Sequence, residues 1–312
     1  MGARCRAPRA GRRLGVVAVT MAALAAGLVG CAPAQSAPPA GFDFAAAYGF
    51  KRIETYSYGP RSEQVLDLYV PQGAGPHPVV VWMAGGGWVE GPYTAVSQVI
   101  LRLTRLGVAV VSIRYRLANE TNHFPDPVVD LKTAASWLSR HAGELDLDPA
   151  RMVSSGYSSG GHLAMLGAVT FGNPDIQPME GPEVRFIGSI SFAGAVLMSH
   201  DLNSILSGPA KVFLGCVTTT CVDPDRASPM RYFDIGDPPI LGLWGDADFV
   251  EPAELGLQQD RAARAAGMES QFELFPGLTH ADIGDAADFN VVYDWLQRLF
   301  ASVEPATTTT PP

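Results

Sequence analysis

Short apolar runs alternate with longer amphipathic segments over most of the chain. Residues 78–83 and 108–113 are almost wholly apolar, as is typical of strands buried on both faces of a sheet, whereas residues 65–70 alternate as a half-buried strand does. Residues 127–140 carry apolar side chains at helical spacing. The pattern predicts strands at 65–70, 78–83, 108–113, 151–155, 186–192, 240–244 and 271–275, and helices at 95–106, 127–140, 162–170, 253–266 and 287–300.

Strands that alternate with helices predict an α/β fold, in which a mostly parallel sheet is covered by helices on both faces. We expect one such domain over residues 42–303. Residues 193–237 break the alternation, and we expect them to form a small cap insertion.

Residues 1–30 have the pattern of an export signal. Five arginines precede an apolar run over residues 14–29, which is shorter than the roughly 20 residues of a membrane-spanning helix. The run ends in Leu28-Val29-Gly30-Cys31, which resembles the lipobox of bacterial lipoproteins. That resemblance implies cleavage before Cys31 and a lipid on its side chain, so that the protein would face the extracytoplasmic side of the cell membrane.

Two other interpretations of this segment stay open. An ordinary secretory signal would be cut near Ala34 or Ala37 and would release the protein. Arg12-Arg13 permits a twin-arginine route, although the flanking residues match that signal poorly. Residues 31–41 and 304–312 are rich in Pro with Ala or Thr, and their composition predicts a disordered tether and a disordered tail.

The formal charge of the chain is −9 at pH 7, and loss of the five arginines before Cys31 would bring it to about −14. Proteins that bind nucleic acids carry basic surfaces, so we expect no nucleic-acid partner. An acidic protein also slightly disfavours anionic substrates.

Two of the four cysteines, Cys216 and Cys221, lie outside the N-terminal segment and close together. In an exported protein such a pair favours a disulfide, and so small a loop would contribute only about 2 kcal/mol. The bond would therefore stiffen one loop. A metal site is not expected, because no histidine or further cysteine clusters nearby.

The candidate chemistry centres on Gly156-Tyr157-Ser158-Ser159-Gly160, which lies between a predicted strand and a predicted helix. In this context Gly-x-Ser-x-Gly places the serine on a sharp turn, and the glycines avoid clashes with neighbouring backbone. The pattern alone is also compatible with a turn that has no chemistry, so Ser158 needs partners.

A serine hydroxyl becomes a nucleophile when a base takes its proton and a carboxylate orients that base. His280 follows the last predicted strand, in a loop from which it could reach Ser158, although an exposed loop histidine stays the alternative. Asp248 is the preferred acid, with Asp246 as the second candidate and as the one more suited to capping the turn. The sharp turn at Ser158 is called the elbow below. His162, on the predicted helix that follows this elbow, and His200, in the cap, are assigned no catalytic role.

Backbone N–H groups are also needed to stabilise a developing alkoxide. The three glycines at 85–87 follow a buried strand, and glycine lets the backbone approach a ligand closely. We expect the N–H groups of Gly86, Gly87 and Ser159 to form this oxyanion hole.

Together these stretches resemble the α/β-hydrolases of the hormone-sensitive-lipase-like and acetyl-xylan/feruloyl-esterase-like group of carboxylesterases. The resemblance covers nearly all of the domain and implies that Ser158 is the nucleophile, Asp248 the orienting acid and His280 the base. It rests on the motifs Val65-Leu66-Asp67-Leu68-Tyr69-Val70-Pro71, Gly85-Gly86-Gly87-Trp88, Tyr115-Arg116-Leu117-Ala118, Phe124-Pro125 with Asp130, the elbow through Gly161-His162-Leu163-Ala164, Gly245 to Val250, and His280.

The chain departs from that group at three positions. Ala84 and Trp244 stand where the group usually has histidines, before the glycines and before the acid loop, and Ser159 replaces a more usual alanine. We expect Ala84 to loosen or reshape the oxyanion hole without abolishing it.

The resulting hypothesis is a serine carboxylesterase that needs no metal or organic cofactor and acts on short-chain esters of small molecules or glycans, including acetyl groups of the cell envelope. Trp88, Tyr157 and Phe249 are candidates for an apolar pocket, with packing in the core as an equal alternative for each. A serine exopeptidase with the same triad, or a binding protein on a hydrolase scaffold, would also fit parts of the pattern.

Overall fold

The computed structural model describes residues 43–198, 207–216 and 221–304. The predicted signal at 1–30, Cys31, the tether at 31–41, His200 and the tail beyond Glu304 lie outside these residues. The described residues fall in one compact unit, Gly41–Pro312. None of the described helices is both long and apolar enough to cross a membrane.

Eight strands form one sheet, in the order β1-β2-β4-β3-β5-β6-β7-β8. β1 and β2 pair antiparallel, as do β2 and β4, and every other neighbouring pair is parallel. The strands are β1 Phe50–Ser57, β2 Val65–Pro71, β3 His77–Met83, β4 Ala109–Arg114, β5 Leu147–Tyr157, β6 Gly188–Phe192, β7 Ile240–Gly245 and β8 Ser270–Phe275.

Helices connect the parallel strands and cover the sheet. They are α1 Phe44–Tyr48, α2 Gln98–Leu101, α3 Asp126–Arg140, α4 Ser159–Val169, α5 Ser207–Phe213, α6 Ala253–Ala265, α7 His280–Ala286 and α8 Phe289–Ala301, with 3-10 helices at Arg102–Leu106, Pro224–Ala227 and Pro229–Arg231. The predicted α/β fold class is therefore confirmed.

Two apolar clusters fill the space between the sheet and its helices. Side chains alternate across a strand, so Val79 and Val81 belong to one cluster while Val80 and Trp82, on the same strand, belong to the other. The central strand β3 is thus buried on both faces, as its continuous apolar run predicted.

Some elements differ from the prediction. β1 was not predicted, because its exposed positions carry mostly polar side chains on a sheet edge. The predicted helix at 95–106 is a short α2 that continues as a 3-10 helix and ends at Gly107, which has a positive φ of 80°. The predicted loop position of His280 is wrong, since His280 is the first residue of helix α7.

The described part of the 193–237 insertion contains α5 and two 3-10 helices. A disulfide joins Cys216 to Cys221 just after α5, as predicted. Within the described residues, Val222 N–H donates to the Leu214 carbonyl at 2.9 Å, so the chain turns back on the end of α5.

Candidate active site

Ser158 lies at the turn between β5 and α4, with φ 54° and ψ −124°. This is the strained strand-to-helix turn that the Gly-x-Ser-x-Gly pattern predicts. A side chain at Gly156 would collide with the backbone of Gly160, and one at Gly160 would collide with the carbonyl of Met83. Gly156 is therefore required for the tightness of the turn, and Gly160 for its packing against the end of β3.

Ser158, His280 and Asp248 form a hydrogen-bonded series. The Ser158 Oγ lies 2.9 Å from His280 Nε2, and His280 Nδ1 lies 2.7 Å from Asp248 Oδ2. A carboxylate only accepts, so Nδ1 carries the proton and Nε2 is left to accept from the serine hydroxyl. The imidazole is thus oriented to take the proton of Ser158.

The carboxylate of Asp248 is fixed by its own loop. Its Oδ1 accepts hydrogen bonds from the N–H groups of Val250 and Glu251, both at 2.8 Å, and its side chain is fully buried. Asp246 is exposed instead, and its Oδ1 accepts from Gly277 N–H at 2.6 Å, which ties the loop after β7 to the loop after β8. Of the two predicted acids, Asp248 contacts His280.

Helix α7 orients His280 from its first residue. A capping box of Thr279 and Asp282 closes the start of the helix. The Tyr157 hydroxyl donates to the His280 carbonyl at 2.8 Å, and the two rings pack at 5.2 Å. Burial, and secondarily the charge of Asp248, raise the pKa of Tyr157, so its hydroxyl stays a donor. The spacing Thr279-x-x-Asp282 is a sequence signal that could have predicted this helix.

The glycine loop, which we define as residues 84–91, follows β3 beside the elbow. Gly86 and Gly87 have φ values of 136° and 59°, a region that favours glycine. The N–H groups of Gly86, Gly87 and Ser159 donate to no protein acceptor within the described residues. These three donors, which are the ones predicted for the oxyanion hole, are therefore free for a ligand.

The three predicted pocket residues differ in their surroundings. Trp88 is 1% exposed and packs in the core, which is the alternative interpretation for this residue. Phe249 is 82% exposed. Tyr157 is half-buried against His280.

Trp244 and Ser159, two of the three residues that depart from the pattern of the carboxylesterase group, are both buried. The Trp244 ring packs against Phe272 at 5.9 Å, and side chains at Gly242 and Gly256 would approach it too closely. Trp244 is thus a core residue beneath the acid loop.

Glu251 is a buried carboxyl group whose burial has no local signal in the sequence. It is 5% exposed and lies three residues after Asp248, to which its backbone N–H donates. Burial, and secondarily the charge of Asp248, raise the pKa of Glu251 to about 8. At neutral pH this side chain is therefore a neutral acid beside the Asp248 loop.

A mostly parallel sheet with a serine on its strand-to-helix elbow, followed along the chain by an aspartate and a histidine, defines an α/β-hydrolase fold. A family model described as BD-FAE matches residues 66–258, more than half of the chain. The chain therefore belongs to the BD-FAE family, and the predicted resemblance to α/β-hydrolase carboxylesterases is confirmed.

Two esterases of Mycobacterium tuberculosis are among its relatives. The probable carboxylic ester hydrolase LipM is 28% identical over 191 residues, which cover 58% of this chain and 43% of LipM. Esterase LipC is 28% identical over 246 residues, which cover 74% of this chain and 60% of LipC. The matched region thus spans about half the length of these relatives.

Solved structures of esterases share the fold. A truncated carbohydrate esterase from gut microbiota is 25% identical, with a TM-score of 0.71, and the match covers 81% of this chain and 98% of that one. The thermophilic esterase Est2 of Thermogutta terrifontis, with propionate bound, is 25% identical, with a TM-score of 0.62 and coverage of 80% and 92%.

Proposed function

We propose that this chain is a serine carboxylesterase that hydrolyses short-chain esters through an acyl-enzyme. The observation that carries the proposal is the hydrogen-bonded series from the Ser158 Oγ through His280 to the buried Asp248. Membership of the BD-FAE family and the esterase names of the relatives support the same reaction.

In the first half-reaction, His280 Nε2 takes the proton of Ser158 while the Oγ attacks the ester carbonyl carbon. The negative charge that develops on the carbonyl oxygen would be held by the free N–H groups of Gly86, Gly87 and Ser159. The bond to the alcohol then breaks, and the proton on His280 passes to the leaving oxygen. Asp248 keeps the imidazole oriented and stabilises its charged form.

In the second half-reaction, water replaces the alcohol. His280 takes a proton from the water as the hydroxide attacks the acyl carbon, and returns it to the Ser158 Oγ as the carboxylic acid leaves. Because His280 must be neutral to accept a proton, activity is expected to fall at acidic pH.

Short acyl groups on a sugar are the substrate class that we favour. Among the structures of similar fold, one is of a carbohydrate esterase and another holds propionate, a three-carbon acid. An acetylated glycan combines both features, and a glycan of the cell envelope would fit an exported enzyme.

We also propose that the enzyme is an exported lipoprotein attached to the membrane through Cys31, on the strength of the arginines, the apolar run and Leu28-Val29-Gly30-Cys31. Membrane fractionation after expression in a bacterial host tests this. The wild-type protein is expected in the membrane fraction, and Cys31→Ala in the soluble one. Equal membrane association of both would contradict the lipid anchor.

The test of the reaction measures turnover of p-nitrophenyl acetate, butyrate and octanoate by the purified protein and by Ser158→Ala. We expect acetate and butyrate to be the better substrates, and Ser158→Ala to lose at least about 10³-fold in kcat. Ser155→Ala is a matched control, because Ser155 is buried on the same strand and its hydroxyl has no partner within the described residues. This control is expected to keep activity.

Two outcomes would contradict the proposal. Turnover of aminoacyl p-nitroanilides but not of esters would indicate an exopeptidase. A protein that turns over none of these substrates and does not react with a fluorophosphonate would fit a binding protein on a hydrolase scaffold.

A further inference from the structure

We propose that Trp88 and His162 are positioning residues that hold the glycine loop in the geometry needed to stabilise the oxyanion. Helix α5 of the insertion packs against both side chains and fixes their positions. The inference rests on the proposed esterase function and names residues that act through the loop, without touching the substrate.

Trp88 has a backbone conformation that is unfavourable for a side chain of its size. Its φ is 66°, and it directly follows Gly86 and Gly87, which also have positive φ values. Glycine adopts such angles freely, whereas a tryptophan needs surrounding contacts to hold it there. Whatever holds Trp88 therefore also holds the two N–H groups that precede it.

A hydrogen-bonded series holds the indole. Trp88 Nε1–H donates to His162 Nδ1 at 3.0 Å, and His162 Nε2 lies 2.7 Å from the Ala227 carbonyl. An indole only donates and a carbonyl only accepts, so His162 must be neutral with its proton on Nε2. Its complete burial lowers the pKa of His162 to about 4 and keeps it in this form.

His162 also links the loop to the nucleophile. It lies on α4, four residues after Ser158, and its backbone N–H donates to the Ser158 carbonyl at 3.0 Å. The bond from Trp88 thus fixes the glycine loop relative to the helix that begins at the elbow. This is the relation between donor and nucleophile that oxyanion stabilisation depends on, because the donors must lie about 2.7–3.1 Å from the developing charge.

Helix α5 packs against both Trp88 and His162. The Phe213 ring stacks on Trp88 at 5.0 Å with 17° between the planes, and meets His162 edge-on at 5.5 Å. A side chain at Gly87 would lie 3.1 Å from Pro209 Cβ, so α5 also packs directly on the loop. The insertion therefore contributes to the placement of the loop.

The start of the loop has a separate support. The buried Tyr115 hydroxyl donates to the Ala84 carbonyl at 2.9 Å. Ala84 itself has no polar side chain with which to brace the loop. Gly86 and Gly87 thus lie between two fixed points, the Ala84 carbonyl and the Trp88 indole. The Ala84 carbonyl approaches Gly160 of α4 closely, and the Trp88 indole adds a side-chain hydrogen bond to His162 of the same helix.

The test compares kcat and KM of His162→Leu, His162→Gln and Trp88→Phe with the wild type, using p-nitrophenyl acetate and the full chain. His162→Leu and Trp88→Phe each remove the bond between loop and helix, and we expect kcat per mole of folded protein to fall about 10- to 100-fold with KM changed less than about threefold. A glutamine can accept from the indole and donate to Ala227, so His162→Gln is expected to regain most of the lost kcat.

His77→Leu is the control for loss of a buried histidine, because His77 is 4% exposed at the opposite end of β3. This change is expected to lower thermal stability without changing kcat per mole of folded protein. Trp88→Phe keeps an aromatic ring and gives a second variant should His162→Leu not fold.

Unchanged kcat in folded Trp88→Phe, or an equal loss in His77→Leu, would overturn the positioning role while leaving the esterase function intact. A wild-type protein without ester turnover would overturn both, and the Ser158→Ala comparison distinguishes these cases.

Discussion

The two sides of the candidate site are held in place by different kinds of contact. On the triad side, short hydrogen bonds join Ser158, Asp248 and His280 at the carboxyl ends of β5, β7 and β8. On the side of the glycine loop, aromatic packing and the series from Trp88 through His162 to Ala227 connect the loop to the insertion.

This difference has a physical consequence. Each triad contact is a direct bond between groups that have separate roles in the proposed reaction, so we expect the loss of one bond to remove one chemical role. The contacts of the glycine loop are distributed over several buried side chains, so we expect the loss of one contact to shift the loop by a limited amount. Variants of the two sides should therefore differ in the size of their effects.

The largest effect is expected on the triad side, for Asp248→Asn. An amide cannot hold the required tautomer of His280, and kcat/KM for p-nitrophenyl acetate is expected to fall about 10³- to 10⁴-fold. Asp246→Asn is the matched control, since Asp246 is two residues away and bonds Gly277 instead. We expect it to lose less than about tenfold, and equal losses in the two variants would contradict the assignment of Asp248.

A second effect on the triad side concerns stability, through Glu251. Its pKa is raised from 4.5 to about 8, so the folded protein keeps a proton that the unfolded chain releases above about pH 4.5. This contribution to stability is complete below that pH and is lost as the pH rises to 8, by on the order of 5 kcal/mol at 1.36 kcal/mol per pH unit.

Urea unfolding of the wild type and Glu251→Gln at pH 5 and pH 8.5 measures this loss. The glutamine of the variant cannot ionise. We therefore expect the free energy of unfolding of Glu251→Gln, minus that of the wild type, to be larger at pH 8.5 than at pH 5. Glu254→Gln, at an exposed position nearby, should show no such gain. The same pH dependence of the free energy of unfolding in the wild type and in Glu251→Gln would contradict the interpretation of Glu251 as a buried neutral acid.

The smallest effect is expected for the disulfide at the end of α5. Replacing both Cys216 and Cys221 by serine should cost about 2 kcal/mol of stability, as the closed loop is short. Because α5 carries Phe213, kcat should also fall about two- to fivefold, measured beside the melting temperature. A loss of kcat as large as that expected for Asp248→Asn would contradict the expectation that changes on the glycine-loop side have smaller effects than changes on the triad side.

The residues of the triad side could be predicted from the sequence because their signals are local. The glycines around Ser158, the order of Asp248 and His280 along the chain, and the buried strands before each of them are all visible in short stretches. The structure brings the three side chains together, and their catalytic roles stay predictions until variants are measured.

The glycine-loop side was harder to predict because its contacts join distant parts of the chain. Trp88, His162 and Phe213 are separated by about 50 residues or more, and nothing near Trp88 in the sequence indicates that its indole bonds a histidine of α4. Trp88 therefore looked equally suited to a pocket. Glu251 was missed for a related reason, since burial of a carboxyl group depends on tertiary packing.

The most direct test of the central claim is to locate the nucleophile by mass spectrometry after reaction with a fluorophosphonate. We predict one adduct per chain, on Ser158, together with loss of ester turnover in proportion to labelling. Labelling of a different residue, or full ester turnover by a protein whose Ser158 is labelled, would contradict the assignment of Ser158 as the nucleophile.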